Sequence, residues 1–128
     1  MPADNGVLYV EDDQANRSLM VTIFERYFPH VALTVARNGR EALDTFADHP
    51  PSLVLLDGYL GDMTGPELVE HLRDRAAGEL PPIVVVSGSL PPDSATSIDG
   101  VVQHVMKPFK IPELVALISR LLDDESVR

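Results

Sequence analysis

The chain contains no cysteine, so it can form neither a disulfide nor a thiolate zinc site. It has very little lysine: Lys107 and Lys110 are the only two of its ten basic residues. Arg37 with Arg40, and Arg73 with Arg75, are pairs rather than stripes. With a net charge of −10, that scarcity excludes nucleic-acid binding through this chain, because phosphate contacts need basic patches. No apolar run approaches the ~20 residues that span a bilayer, so membrane insertion is not expected. Met1-Pro2-Ala3-Asp4-Asn5 lacks a basic segment leading into an apolar one, so no signal peptide is expected and the cytoplasm is the natural location. His30, His49, His71 and His104 show no metal-ligand spacing.

What is present suits one α/β domain. The chain has 128 residues, 45% hydrophobic, with a mean hydropathy of +0.03. Strand-like runs near residues 6–11, 31–36, 53–57, 82–87 and 101–106 alternate with helical patterns. After the first strand, Leu19, Met20, Ile23, Phe24 and Tyr27 recur at helical steps until Phe28-Pro29 stops them. Ala42, Leu43, Phe46 and Ala47 give a short second helix after Asn38-Gly39, ended by His49-Pro50-Pro51. Thr64, Pro66 and Glu67 read as cap, first-turn proline and capping-box partner of a third helix, ending at Ala76-Ala77-Gly78. The last helix follows Pro108 and carries Leu114, Leu117, Ile118, Leu121 and Leu122, with a polar tail from Asp123 that should fray. Between Gly88 and Gly100 the residues are poor helix formers, and at most a short or irregular helix is expected. Regular βα alternation predicts a doubly wound parallel sheet with helices on both faces.

The carboxyl ends of such strands are where open α/β sheets place their chemistry. Here they carry Glu11-Asp12-Asp13, Asp57, Ser87 and Lys107. If the first and third strands are neighbours, Glu11, Asp12 and Asp57 converge, and their repulsion favours a hard divalent cation such as Mg²⁺. Asp13 is either a solvated loop acid or the cap of the first helix. Asp57 is the candidate nucleophile, since a carboxylate can attack phosphorus and form an aspartyl phosphate. Phosphoryl transfer then needs neutralisation of the equatorial oxygens, by the cation, by the Lys107 ammonium and by the Ser87 hydroxyl with backbone N–H groups. A cis Lys107-Pro108 bond is expected to aim Lys107 at the carboxylates.

Taken together, Val7-Leu8-Tyr9-Val10-Glu11-Asp12-Asp13, Leu53-Val54-Leu55-Leu56-Asp57 with Met63-Thr64-Gly65, Val84-Val85-Val86-Ser87-Gly88 and Met106-Lys107-Pro108-Phe109 resemble a response-regulator receiver domain. The resemblance runs from about Gly6 to Leu122, within a single domain over 1–128. It implies a flavodoxin-like sheet in the order 2-1-3-4-5 with five helices. It implies that Asp57 accepts the phosphoryl group and that Asp12 binds Mg²⁺ directly, with Glu11 acting through water and the Tyr59 backbone carbonyl completing the metal site. Ser87 matches the switch hydroxyl and Lys107 the phosphate-binding lysine. The implied partners are a sensor histidine kinase or histidine phosphotransfer protein and a downstream protein target. Four features depart from the family pattern. Glu11 stands where aspartate is commoner. Gly61 replaces a frequent proline, so the loop after Asp57 is expected to be more mobile. His104 takes the place of an aromatic switch residue, with pH sensitivity as the expectation. The segment from Ser87 to Lys107 is short. Two rivals are an interaction module that signals without phosphate, and a phosphohydrolase of the haloacid-dehalogenase type. The latter wants an acid two residues after the nucleophile, where Tyr59 stands.

Overall fold

The computed structural model describes residues 6–76, 80–88 and 101–127. Its elements are β1 (Val7–Val10), α1 (Gln14–Tyr27), β2 (Leu33–Ala36), α2 (Gly39–Asp48), β3 (Leu53–Leu56), α3 (Gly65–Ala76), β4 (Ile83–Ser87), β5 (Val101–Met106) and α4 (Ile111–Val127). All five strands are parallel, in the order β2-β1-β3-β4-β5. The three central strands, VLYV, LVLL and IVVVS, are almost wholly apolar because both of their faces are buried. At the edge, β2 mixes Leu33, Thr34, Val35 and Ala36, with Thr34 exposed.

Strand alternation sends successive side chains into two cores. Leu8, Val10, Val54 and Leu56 meet Phe46 of α2 and Leu68 and Leu72 of α3. Val7, Tyr9, Leu53 and Leu55 meet Met20, Ile23 and Phe24 of α1 and Ile118 of α4. Among the described residues no helix is long and apolar enough to cross a membrane.

Local signals in the sequence set the helix starts. Asp13 accepts the Asn16 N–H at 2.9 Å and caps α1, so of its two readings the cap is realised. Asp13→Ala is expected to lower stability by about 1 kcal/mol in urea denaturation, the usual cost of a lost cap. Before α3, Thr64 and Glu67 form the reciprocal box: the Thr64 N–H donates to Glu67 Oε1 at 2.9 Å, and the Glu67 N–H to Thr64 Oγ1 at 3.2 Å. One expectation fails. The tail from Asp123 does not leave the helix, and α4 continues to Val127. The apolar stripe stops there, but no glycine or proline interrupts the backbone ladder. The predicted weak helix between β4 and β5, and the Ala77-Gly78 stop of α3, lie outside the described residues.

Two features of register position the site. Val10 pairs with both Ala36 and Leu56, so β1 and β3 end level and Glu11 follows one while Asp57 follows the other. The chain leaves β1 toward β2 but leaves β3 toward β4, which makes this gap the switch point of the sheet. On the far side, Ile83 pairs with Val101 and Val84 with Gln103, so β5 carries one extra residue at a bulge. Beyond it His104 lies opposite Val85 and Met106 opposite Ser87.

Candidate functional site

The acids converge as their strands require. Oxygens of Glu11, Asp12 and Asp57 all lie within 4.8 Å of one another. They differ in setting: Glu11 is buried, Asp57 half-buried and Asp12 exposed at the mouth. Asp57 is held by its own backbone, whose N–H donates to Val10 O at 3.1 Å. The Gly58 N–H donates to its Oδ1 at 2.9 Å. Burial pushes the Asp57 carboxyl above its ordinary pKa, and repulsion from Glu11 adds to this. Lys107 and the Gly58 N–H oppose the shift.

Glu11 is 1% exposed, yet its carboxylate is fully engaged. Oε1 accepts from Lys107 Nζ at 2.9 Å and from the Tyr9 hydroxyl at 3.1 Å. Oε2 accepts from the Asp13 N–H at 3.2 Å. These three donors offset the hydration that burial takes from the carboxylate. Tyr9 was visible in the sequence only as a strand residue. Its hydroxyl is buried between β1 and the acids, and burial, then Glu11, drives its pKa strongly upward, so it serves as a fixed neutral donor. A tyrosine within an aliphatic strand is the signal that could have revealed it, because a buried phenol needs a partner. From α1, Arg17 adds a donor to the Glu11 carbonyl oxygen at 3.1 Å.

Lys107 comes from the end of β5. The Lys107–Pro108 bond is cis. The Lys107 N–H donates to Ser87 O at 3.4 Å, and Nζ lies 3.7 Å from Asp57 Oδ1. The ammonium therefore bridges two carboxylates and sits closer to Glu11. Ser87 is wholly buried at the end of β4. Tyr59 is 50% exposed and pairs with Thr64 across the loop after the acceptor. His104 stands two residue pairs short of Ser87, and among the described residues neither ring nitrogen has a hydrogen-bond partner. Burial pushes its pKa down. The unfolded ring thus takes up a proton at a higher pH than the folded one, and acid lowers stability through this residue.

Among the described residues, three carboxylates against one ammonium leave the pocket with excess negative charge. The donors are all hard oxygens, and Asp12 opens to solvent, so the set fits a small divalent cation that keeps several waters. Asp12 and Asp57 have the freer oxygens, whereas those of Glu11 already have donors. Close packing braces the acceptor from below. A Cβ on Gly65 would come within 2.7 Å of the Asp57 carbonyl oxygen and 2.8 Å of Leu56 Cδ1. Gly65→Ala is expected to cost about 2 kcal/mol, as overpacked substitutions do, measured by urea denaturation.

Residues 7–119 match the family model described as the response regulator receiver domain. The chain is 35% identical over 117 residues to an uncharacterized transcriptional regulatory protein, YkoG, of Bacillus subtilis, covering 91% of this chain and 50% of that protein. It is 34% identical over 127 residues to the aerobic respiration control sensor protein ArcB of Escherichia coli, covering 98% of this chain but 16% of that one. The chain thus spans half or less of the length of these two relatives. With the polar-differentiation response regulator DivK of Brucella anthropi it shares 30% identity over 120 residues, and there the match covers 92% of this chain and 96% of that one. A CheY-like receiver domain crystal structure from Methanospirillum hungatei superposes with a TM-score of 0.84 at 27% identity, covering 97% of this chain and 98% of that one. With the sheet order, the level ends of β1 and β3 and the acids beside Lys107, this match places the chain in the response regulator receiver domain family.

Proposed function

We propose that the chain is a phosphorylation switch working in the cytoplasm, with Asp57 as the acceptor. A phosphohistidine of a sensor histidine kinase or phosphotransfer protein is the donor. A carboxylate oxygen of Asp57 forms the new P–O bond, the P–N bond of the donor breaks, and the released imidazole takes up a proton. Asp12 and Asp57, with Glu11 through water and the Tyr59 carbonyl, would hold Mg²⁺, which neutralises charge on the phosphoryl oxygens. Lys107 leaves Glu11 for a phosphoryl oxygen, and the Ser87 hydroxyl turns toward another. That rearrangement biases the surface read by a downstream protein.

The observation that carries this reading is the ammonium of Lys107 held between Glu11 and Asp57, at 2.9 and 3.7 Å. A pocket kept for structure alone would have little use for three converging acids with a single counter-charge. Acetyl phosphate with Mg²⁺ tests it. Intact-mass measurement should show the gain of one phosphoryl group, mapped to Asp57. No gain would favour an interaction module that signals without phosphate.

A further inference from the structure

The loop that follows the acceptor, residues 58–64, is fastened to α2 from outside the acid pocket. Asp62 accepts the Gly39 N–H on Oδ1 at 2.9 Å and the Arg40 N–H on Oδ2 at 3.0 Å. These belong to the N–H groups that a helix start leaves without intrahelical partners, and Asn38 takes that of Glu41. The helix dipole favours a carboxylate there. Beside it Met63 packs onto Gly39, so closely that a Cβ on the glycine would lie 2.5 Å from Met63 Sδ. The replacement of proline by Gly61 therefore does not leave this loop unsupported.

The loop is also closed on itself. The Leu60 N–H donates to Met63 O at 2.9 Å, and the Gly65 N–H to Gly58 O at 2.7 Å. Tyr59 and Thr64 form an antiparallel bridge. A loop tied in this way moves as one piece. Gly61 adopts a φ of 87°, which proline cannot reach. A Cβ on Gly61 would stand 3.8 Å from Asp12 Oδ2. The same turn thus lies beside Asp12 at Gly61 and is bonded to α2 at Asp62.

We infer that Asp62 is a positioning residue that links the acid pocket to α2. It sets where the loop stands over Asp12, and so the affinity of the acids for a divalent cation. The inference rests on the proposed function for its cation, whereas the clasp itself rests on hydrogen bonds. Coupling of this kind is reciprocal, so cation binding must in turn protect the Gly39 and Arg40 amides.

The test uses the full chain as wild type, Asp62→Ala and Asp62→Asn. Each is titrated with Mg²⁺ alone while amide exchange at Gly39 and Arg40 is followed by NMR, with urea denaturation as the stability control. Asp62→Ala should exchange faster at both amides and bind Mg²⁺ about fivefold more weakly, equivalent to about 1 kcal/mol. Asp62→Asn should recover part of both effects, because its Oδ1 still accepts. Mg²⁺ should slow exchange at these amides in the wild type and not in Asp62→Ala. Faster exchange with unchanged Mg²⁺ affinity overturns the inference and leaves Asp62 as a cap of α2 only. Unchanged exchange overturns the clasp as well. A wild type that takes up no Mg²⁺ removes the proposed function instead. The link is then decided by the ¹³C carboxyl shift of Asp12, which moves in Asp62→Ala if the loop is positioned from α2 and stays fixed if it is not.

Discussion

Asp57→Asn is expected to abolish phosphoryl acceptance while making the protein more stable. The amide keeps the shape of the side chain but is no longer a competent nucleophile. With acetyl phosphate and Mg²⁺, intact mass should therefore stay unchanged where the wild type gains one phosphoryl group. The second half follows from the setting of the carboxylate. Burial and the neighbouring Glu11 both disfavour its charged form, and Lys107 at 3.7 Å offsets this only in part. A neutral side chain removes that conflict, and urea denaturation without Mg²⁺ should show a gain of about 1 kcal/mol, as at other sites where function opposes stability. Loss of acceptance together with a loss of stability would mean that Asp57 is primarily a structural acid.

Lys107→Ala should have the largest effect on stability of any change in the pocket. It strands the Glu11 carboxylate, which is 1% exposed, without its only ionic partner among the described residues. Removing one member of a buried pair costs about 3 to 5 kcal/mol, and the lower end applies because Lys107 itself is 21% exposed. Adding Glu11→Gln should recover much of that loss, since the charge that was left unpaired is then gone. Phosphoryl acceptance should fall about 100-fold through loss of one charge-stabilising donor, measured as the initial rate with acetyl phosphate. Lys107→Arg should restore stability better than rate, because its planar fork does not reproduce a compact ammonium. Equal stability of Lys107→Ala and wild type would show that Tyr9 and the Asp13 N–H suffice to hold Glu11.

The sheet and most helix boundaries were legible because their signals are local. Unbroken aliphatic runs at 53–56 and 83–86 can be buried on both faces only in a central parallel strand. Thr64 with Glu67, and Asp13 before α1, announce helix starts through their own hydrogen bonds. The four strand ends were legible as well, because chain order and a parallel sheet bring them to one rim. The devices that stabilise the site were harder to see. Tyr9 looks like any apolar strand residue until its hydroxyl is placed on Glu11. Asp62 looks like a loop acid, and its partners Gly39 and Arg40 lie more than twenty positions earlier in the chain. Contacts of that span leave no periodicity. The continuation of α4 to Val127 was missed for a different reason: helix hydrogen bonds can outlast the apolar stripe that predicts them.

The bulge in β5 makes residue count matter as much as residue type. One additional position lies between the pairs Ile83–Val101 and Val84–Gln103. A deletion of a single residue there removes the bulge and leaves the pairs from Val84–Gln103 onward in phase. An insertion between Gln103 and Lys107 has no such outlet, and a one-residue slip there turns every later side chain to the other face. Lys107 would then be carried away from the acids. Such a variant would keep every signature residue in its sequence and still lack the pocket. Screening relatives for competence by motif alone would pass it, whereas counting residues within the last strand would not.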